Sequence, residues 1–264
     1  MTTAPLAWEK MPFGSKRVDV EDGTDPVGWG RDLAASLDVW RQDGTVAVWI
    51  QCPMAASPCI AEAATLGFTF HHAEGDTAML SLWLSAKTEN KIPPYATHTI
   101  GVGGFVLNER QEVLVVKELA SGAAAQWKLP GGLGDLGEDL GETASREVFE
   151  ETGVQTEFES LVAFRHQHGS AFGRSNIYFV ARLKPVGSTE IHMDAAELSA
   201  CEWMPLQAYI DMHANAGYGM NGEVAQWVAD QETGVATSKI DFLQLEGPNT
   251  ARGRGGRLYH VAKI

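Results

Sequence analysis

The stretch Arg146-Glu147-Val148-Phe149-Glu150-Glu151-Thr152-Gly153 sets three carboxylates within five positions, beside a single guanidinium. On a helix, Glu147, Glu150 and Glu151 share a sector about 100° wide, because positions three and four apart lie on one face. Like charges so placed repel by roughly a few tenths of a kcal/mol per pair, even in water, so something must offset them. Arg146 reaches Glu150 at i+4. A hard divalent cation, held by one or more carboxylates and by the oxygens of a substrate phosphate, would settle the rest. The bland alternative is a solvated helix face, the usual explanation of an isolated Glu-Glu pair.

The flanking residues say how such a helix is positioned. Asp139 is an N-cap type, and Glu142 three residues on completes a capping-box pattern, so the helix is expected to begin there. Gly153 is the usual stop. Ala144 and Val148 occupy the neighbouring sector and face the core. The preceding Pro130-Gly131-Gly132-Leu133-Gly134-Asp135-Leu136-Gly137-Glu138 loop adds flexible backbone whose carbonyls can complete a cation shell. From Gly131 to Val154 there are seven acids and one base, so the segment holds −6 of the chain's net −14.

That net charge, with a pI near 4.9, argues against a nucleic-acid polymer as partner, since such binders cluster Lys and Arg. An anionic substrate therefore needs a local cation or a metal. The 264 residues, 44% hydrophobic, suffice for one large or two modest domains. Cys52, Cys59 and Cys201 have no short paired spacing, which fits inert reduced thiols and a cytoplasmic location. No run reaches the ~18 apolar residues of a membrane helix, and the first residues lack a secretory apolar core, so no membrane partner is expected.

Residues 18–84 read as a small α/β piece. A strand is expected at Arg17–Val20, then a helix on which Trp29, Leu33, Leu37 and Trp40 recur at helical spacing. A strand follows in TVAVWIQCP, a short helix between Ser57 and Gly67, and a hairpin through Glu74-Gly75-Asp76. The polar segment from Ser85 to Tyr95, with Pro93-Pro94, reads as a linker, giving domains at 1–94 and 95–264. Beyond it, HTIGVGGFVLNERQEVLVVKEL reads as a strand pair, with glycines that let backbone approach closely. Two further strands flank RHQHGSAFGR, helices follow in PLQAYIDMH and GEVAQWVAD, and RLYHVA reads as a last strand after a Gly/Arg-containing loop at 249–256.

The spacing of the central motif is long and specific. Gly132 is followed after five residues by Glu138, after seven more by Arg146-Glu147, then Val148, Glu150-Glu151, Gly153 and Val154. This resembles the Nudix box in every fixed position. WKLPGGLGDLGE, RHQHGSAFGRSNIYFVARLKP and CEWMPL, with WRQDGTVAVWI upstream, resemble the eukaryotic Nudix subgroup of the vertebrate fibroblast growth factor antisense protein and the plant cytosolic ADP-ribose/NADH Nudix hydrolases.

The resemblance implies an α/β class, a Nudix α/β/α sandwich preceded by a small acetyltransferase-like α/β domain. It implies hydrolysis of a nucleoside diphosphate linked to another moiety, ADP-ribose or NADH-like, with Mg²⁺ or Mn²⁺. Carried over by position, Glu147, Glu150 and Glu151 are metal ligands, and Gly132 or Gly131 gives a carbonyl. Arg146, counted with the catalytic group, braces the box with Glu138, and Gly153 ends it. Glu147 or Glu151 is the first choice of base and Glu197 the second. Arg165, Phe172 and Arg174 are expected at the substrate, with a homodimer as the assembly. His168-Gly169-Ser170 stands where some ADP-ribose enzymes carry Pro and diadenosine-polyphosphate enzymes carry Tyr, so the substrate rests on subgroup resemblance alone. A regulatory nucleotide binder with little turnover and a hydrolase of a prenyl diphosphate remain alternatives. An acyltransferase is weaker, because residues 17–84 show no glycine-rich pyrophosphate-binding turn.

Overall fold

Trp29, Leu33, Leu37 and Trp40 are all buried along one face of α1 (Pro26–Gln42), as their spacing requires. The computed structural model describes residues 5–119, 126–216, 219–233, 239–245 and 256–262. The chain divides into two units, Met1–Ala96 and Thr97–Ile264.

In the first unit, β1 (Glu9–Met11), β2 (Ser15–Asp19), β3 (Ala47–Pro53), β4 (Thr69–Glu74) and β5 (Thr77–Trp83) form one sheet in the order β1-β2-β3-β5-β4. The strand expected at Arg17–Val20 starts two residues earlier. β2 and β3 are parallel, so the chain must cross over between them, and α1 is that crossover. β4 and β5 form the expected hairpin around Gly75. α1 and α2 (Pro58–Thr65) share a core with the inward residues Val48, Ile50 and Cys52 of β3. Cys52 and Cys59 are buried and Cys201 half-buried; burial pushes the Cys52 thiol up to about 11 and Cys201 up to about 12, so both stay protonated at neutral pH.

The second unit contains β6 (His98–Val106), β7 (Glu112–Glu118), β8 (Gly131–Leu133), α3 (Leu140–Thr152), β9 (Thr156–Gln167), β10 (Ser175–Pro185) and β11 (Leu198–Pro205). After these come α4 (Leu206–Asn215), α5 (Met220–Glu232), β12 (Lys239–Leu245) and β13 (Gly256–Ala262). Six strands run in the order β12-β13-β9-β10-β6-β8, with β6 and β10 parallel, while β7 and β11 form a separate antiparallel pair. The expected β6–β7 pair is corrected. Both edges of β6 are taken by β8 and β10, so β7 touches the segment after β6 through a single Leu107–Val113 bridge and pairs with β11 instead. RLYHVA lies in β13, which also takes Gly256 from the expected loop; the rest of that loop, 249–255, lies outside the described residues.

Alternation along the strands builds a three-layer sandwich. Val102, Val106, Ala181 and Leu183 meet Ala144 and Val148 of α3, while Phe105 and Val180 meet Tyr209 and Ile210 of α4 and Val224 and Val228 of α5. A Cβ on Gly104 would lie 2.4 Å from Val148 Cγ2, so the bare position lets α3 settle onto the sheet. Among the described residues, no helix is long and apolar enough to cross a membrane.

Candidate active site

Helix α3 is locked at both ends. The Asp139 N–H donates to Glu142 Oε2 at 3.0 Å, and the Thr143 N–H donates to the Asp139 carbonyl at 2.9 Å. Gly153 takes φ +73°, its N–H donates to the Phe149 carbonyl at 2.8 Å, and a Cβ there would stand 2.7 Å from His192 Cβ. With Ala144 and Val148 fully buried, the helix has no rotational freedom, and its glutamates are carried to the β8 side.

Arg146 is the hub of that face. Nε and Nη2 form a fork onto Glu138 at 2.8 and 2.9 Å, Nη1 donates to Glu147 at 2.9 Å and Glu150 at 3.0 Å, and Nη2 also reaches the Leu133 carbonyl at 3.1 Å. Glu138 further accepts from Thr143 Oγ1 at 2.8 Å and the Asp135 N–H at 3.1 Å. The guanidinium holds the Glu138 carboxyl down at about 2. Every arm of Arg146 is engaged inside the box, so its geometry is that of a brace tying loop to helix.

Glu147 and Glu151 differ from the rest. Glu151 is 6% exposed, and burial, reinforced by Glu147 and Glu197, pushes its carboxyl up to about 7 against the pull of Lys128 and of the Gly131 N–H, which donates to Oε2 at 3.1 Å. Burial also raises Glu147, with Arg146 opposing and Glu150 and Glu197 adding to the rise. A Cβ on Gly132 would fall 2.6 Å from Glu147 Oε2, so the glycine is the notch that admits this carboxylate to β8. Glu197 is exposed on the loop before β11, and that loop is strapped to the end of α3 by Asp194 N–H to Glu151 O at 3.0 Å and His192 N–H to Thr152 O at 2.8 Å. Three carboxylates from two segments thus share one field. Glu150 lies further out, its side chain 57% exposed.

The donor chemistry fits a hard divalent ion: partly desolvated carboxylates stand beside a backbone notch. Among the described residues no three His, Cys, Asp or Glu side chains form a ready cage. Arg146 accounts for this, because it draws Glu147 and Glu150 toward itself; Mg²⁺ needs only one or two carboxylates when substrate phosphates supply further oxygens.

The residues expected at the substrate separate. Arg165 on β9 is half-buried and pairs in register with Tyr178 on β10, and Tyr178 feels the charges of Glu147 and Glu151. Phe172 is 96% exposed at the tip of the β9–β10 turn, with φ +56°, and Arg174 is half-buried just after it. That turn adjoins the Ser175–His98 row, whereas Gly132 pairs with Val102, four residues further along β6. At ~3.3 Å per residue the separation is about 13 Å. Lys128 and Tyr178 were not singled out from sequence; Lys128 was visible only as the basic residue of WKLPGG, and Tyr178 as one aromatic in a strand.

A family model described as NUDIX domain matches residues 97–227, and one described as Nudix hydrolase domain matches residues 6–84. Nucleoside diphosphate-linked moiety X motif 6 of Homo sapiens is 43% identical over 192 residues, 72% of this chain and 60% of that protein. Nudix hydrolase 2 of Arabidopsis thaliana is 38% identical over 87% of this chain and 80% of its own length, and Nudix hydrolase 6 of the same plant 36% identical over 94% and 87%. The chain thus spans about three fifths of the human relative and most of the two plant proteins.

Proposed function

We propose, from the premise that this chain belongs to the Nudix hydrolase family, that it hydrolyses the diphosphate bond of a nucleoside diphosphate linked to another moiety, with an ADP-ribose or NADH-like compound as substrate. The observation that carries the reading is the desolvated Glu147–Glu151 pair set at the Gly131-Gly132 notch, with Glu197 brought beside it by a strapped loop.

In this reading Glu147, Glu151 and the Gly132 carbonyl hold Mg²⁺ or Mn²⁺, with Glu150 at the rim. When bound, the ion supplies positive charge for the phosphate oxygens and acidifies water. The protein's own groups do the rest. Arg146 and Glu138 fix the loop against the helix, so that Glu151 and the Gly131-Gly132 backbone stand in place before the diphosphate arrives. A carboxylate within hydrogen-bond reach of the attacking water takes its proton; Glu151 or Glu147 suits that task, with Glu197 next. The water oxygen bonds to one phosphorus as that phosphorus's bond to the bridging oxygen breaks, leaving a phosphate monoester on each half and, with both as dianions, releasing two protons.

A panel of ADP-ribose, NADH, coenzyme A, and prenyl and sugar diphosphates, with product analysis in Mg²⁺ or Mn²⁺, tests the reading. AMP from ADP-ribose or NADH is the expected result; no turnover of any member, with tight nucleotide binding, would replace it by the regulatory binder. That second reading is favoured by one feature, the hold that Arg146 already has on Glu147 and Glu150.

A further inference from the structure

Tyr178 and Arg165 face each other across β10 and β9, with the guanidinium carbon 5.6 Å from the ring centroid. The same ring lies against β6 where two glycines leave it room: a Cβ on Gly101 would come within 2.9 Å of Tyr178 Cδ2, and one on Gly103 within 2.2 Å of its hydroxyl. Backbone thus fixes the tyrosine on one side and the guanidinium rests on it from the other. Arg165 Nε is buried and has no hydrogen-bond partner among the described residues. Leaving a buried donor unmade costs about 1–3 kcal/mol, more for a charged group, so the arrangement calls for a ligand. Carboxylates stand nearby. Glu151, Glu147 and Glu118 all act on the Tyr178 phenol, whereas the shift of Arg165 is set by burial, with Tyr178 as the neighbour opposing it.

We propose that Tyr178 is a positioning residue that holds the Arg165 guanidinium apart from the carboxylate wall, so that the cation stays open for the phosphate of the substrate that the carboxylates do not engage. The inference rests on the diphosphate reading above. A phosphate oxygen satisfies the unpaired Nε donor and balances the buried charge in one contact. Without the ring, the long arginine side chain folds toward the nearest carboxylate and neutralises itself.

The test is calorimetric binding of ADP to the full-length protein in EDTA, with diphosphate kinetics in Mg²⁺ alongside. Wild type is expected to bind ADP without metal. Arg165→Gln weakens binding about tenfold, Tyr178→Leu by a similar factor, and the double variant no further, because the two act as a unit. Tyr178→Phe, which keeps the ring, stays within about twofold of wild type. Gly103→Ala drives a methyl group into the place of the Tyr178 hydroxyl and weakens binding without touching either side chain, which covers the case of a Tyr178→Leu variant that does not fold. In turnover, Arg165→Gln and Tyr178→Leu raise KM more than they lower kcat. Failure of wild type to bind ADP in EDTA overturns the proposal, as do wild-type binding by both Tyr178→Leu and Gly103→Ala or an additive loss in the double variant. ADP binding with this coupling, but no turnover of any diphosphate, would sink the hydrolase reading and leave the positioning role standing.

Discussion

Helix α1 of the first unit and helix α3 of the second each follow an aspartate, Asp25 and Asp139, and each lies on a sheet. Their buried faces differ. α1 hides Trp29, Leu33, Leu37 and Trp40, and its one buried hydroxyl, Ser36, donates to the Asp32 carbonyl at 2.6 Å. α3 hides Ala144 and Val148, but also Thr143, Thr152 and the carboxylate of Glu151. Burying apolar surface stabilises by about 25 cal/mol per Å², whereas a buried carboxylate with one N–H donor opposes folding. The contrast teaches that α1 serves the core alone, while α3 gives up part of its core face to keep charge out of water, where charge acts more strongly on a ligand.

The contrast breaks first at Glu151. Glu151→Gln should lower kcat by about a thousandfold with Mg²⁺ or Mn²⁺, while thermal melting stays unchanged or rises. Turnover within tenfold of wild type would show that the buried charge is structural. Leu37→Ala is the mirror experiment: about 3 kcal/mol of stability should be lost by denaturant unfolding, with kcat/KM of the folded protein unchanged. Because the chain has two units, their transitions are to be followed by separate probes, and a matching fall in activity would deny the division of labour.

A pH experiment sharpens the same contrast. Arg146 depresses the folded Glu138 carboxyl from 4.5 to about 2, so the folded state binds fewer protons in that window than the unfolded one. The stabilisation is present above pH 4.5 and is lost as pH falls toward 2. Glu138→Gln should flatten that part of the acid limb of the stability curve; an unchanged limb would mean that Arg146 finds equal partners in Glu147 and Glu150. The smallest effect belongs to a cap. Asp25 Oδ2 accepts the Gly28 N–H at 2.9 Å, and Asp25→Ala should remove about 1 kcal/mol from the first unit without altering KM.

Much of this was legible in order along the chain. The α1 stripe, the Asp139 and Gly153 boundaries of α3 and the Arg146–Glu150 pair follow from 3.6-residue spacing, which needs no knowledge of what the helix meets. Adjacency in sequence favours a β6–β7 hairpin, whereas the choice of partner depends on which edges remain free, and β8 and β10 close both edges of β6. The glycines of GVGGF signalled close approach but not of what: Gly104 admits Val148, whereas Gly101 and Gly103 admit Tyr178. Phe172 is expected at the substrate by position in the chain, and only the sheet register shows that its turn opens about 13 Å along the sheet from the Gly132 row.

By itself the sequence determined the two amphipathic helices, the family and the face on which Glu147, Glu150 and Glu151 lie, since each depends on local periodicity or on a motif of set spacing. Only the tertiary structure decided that Glu151 is buried while Glu150 is not, that Glu197 joins them from a distant loop, and that Arg165 rests on Tyr178 with its Nε unpaired among the described residues. Burial and through-space charge are properties of what packs around a group, and no spacing along one chain records them.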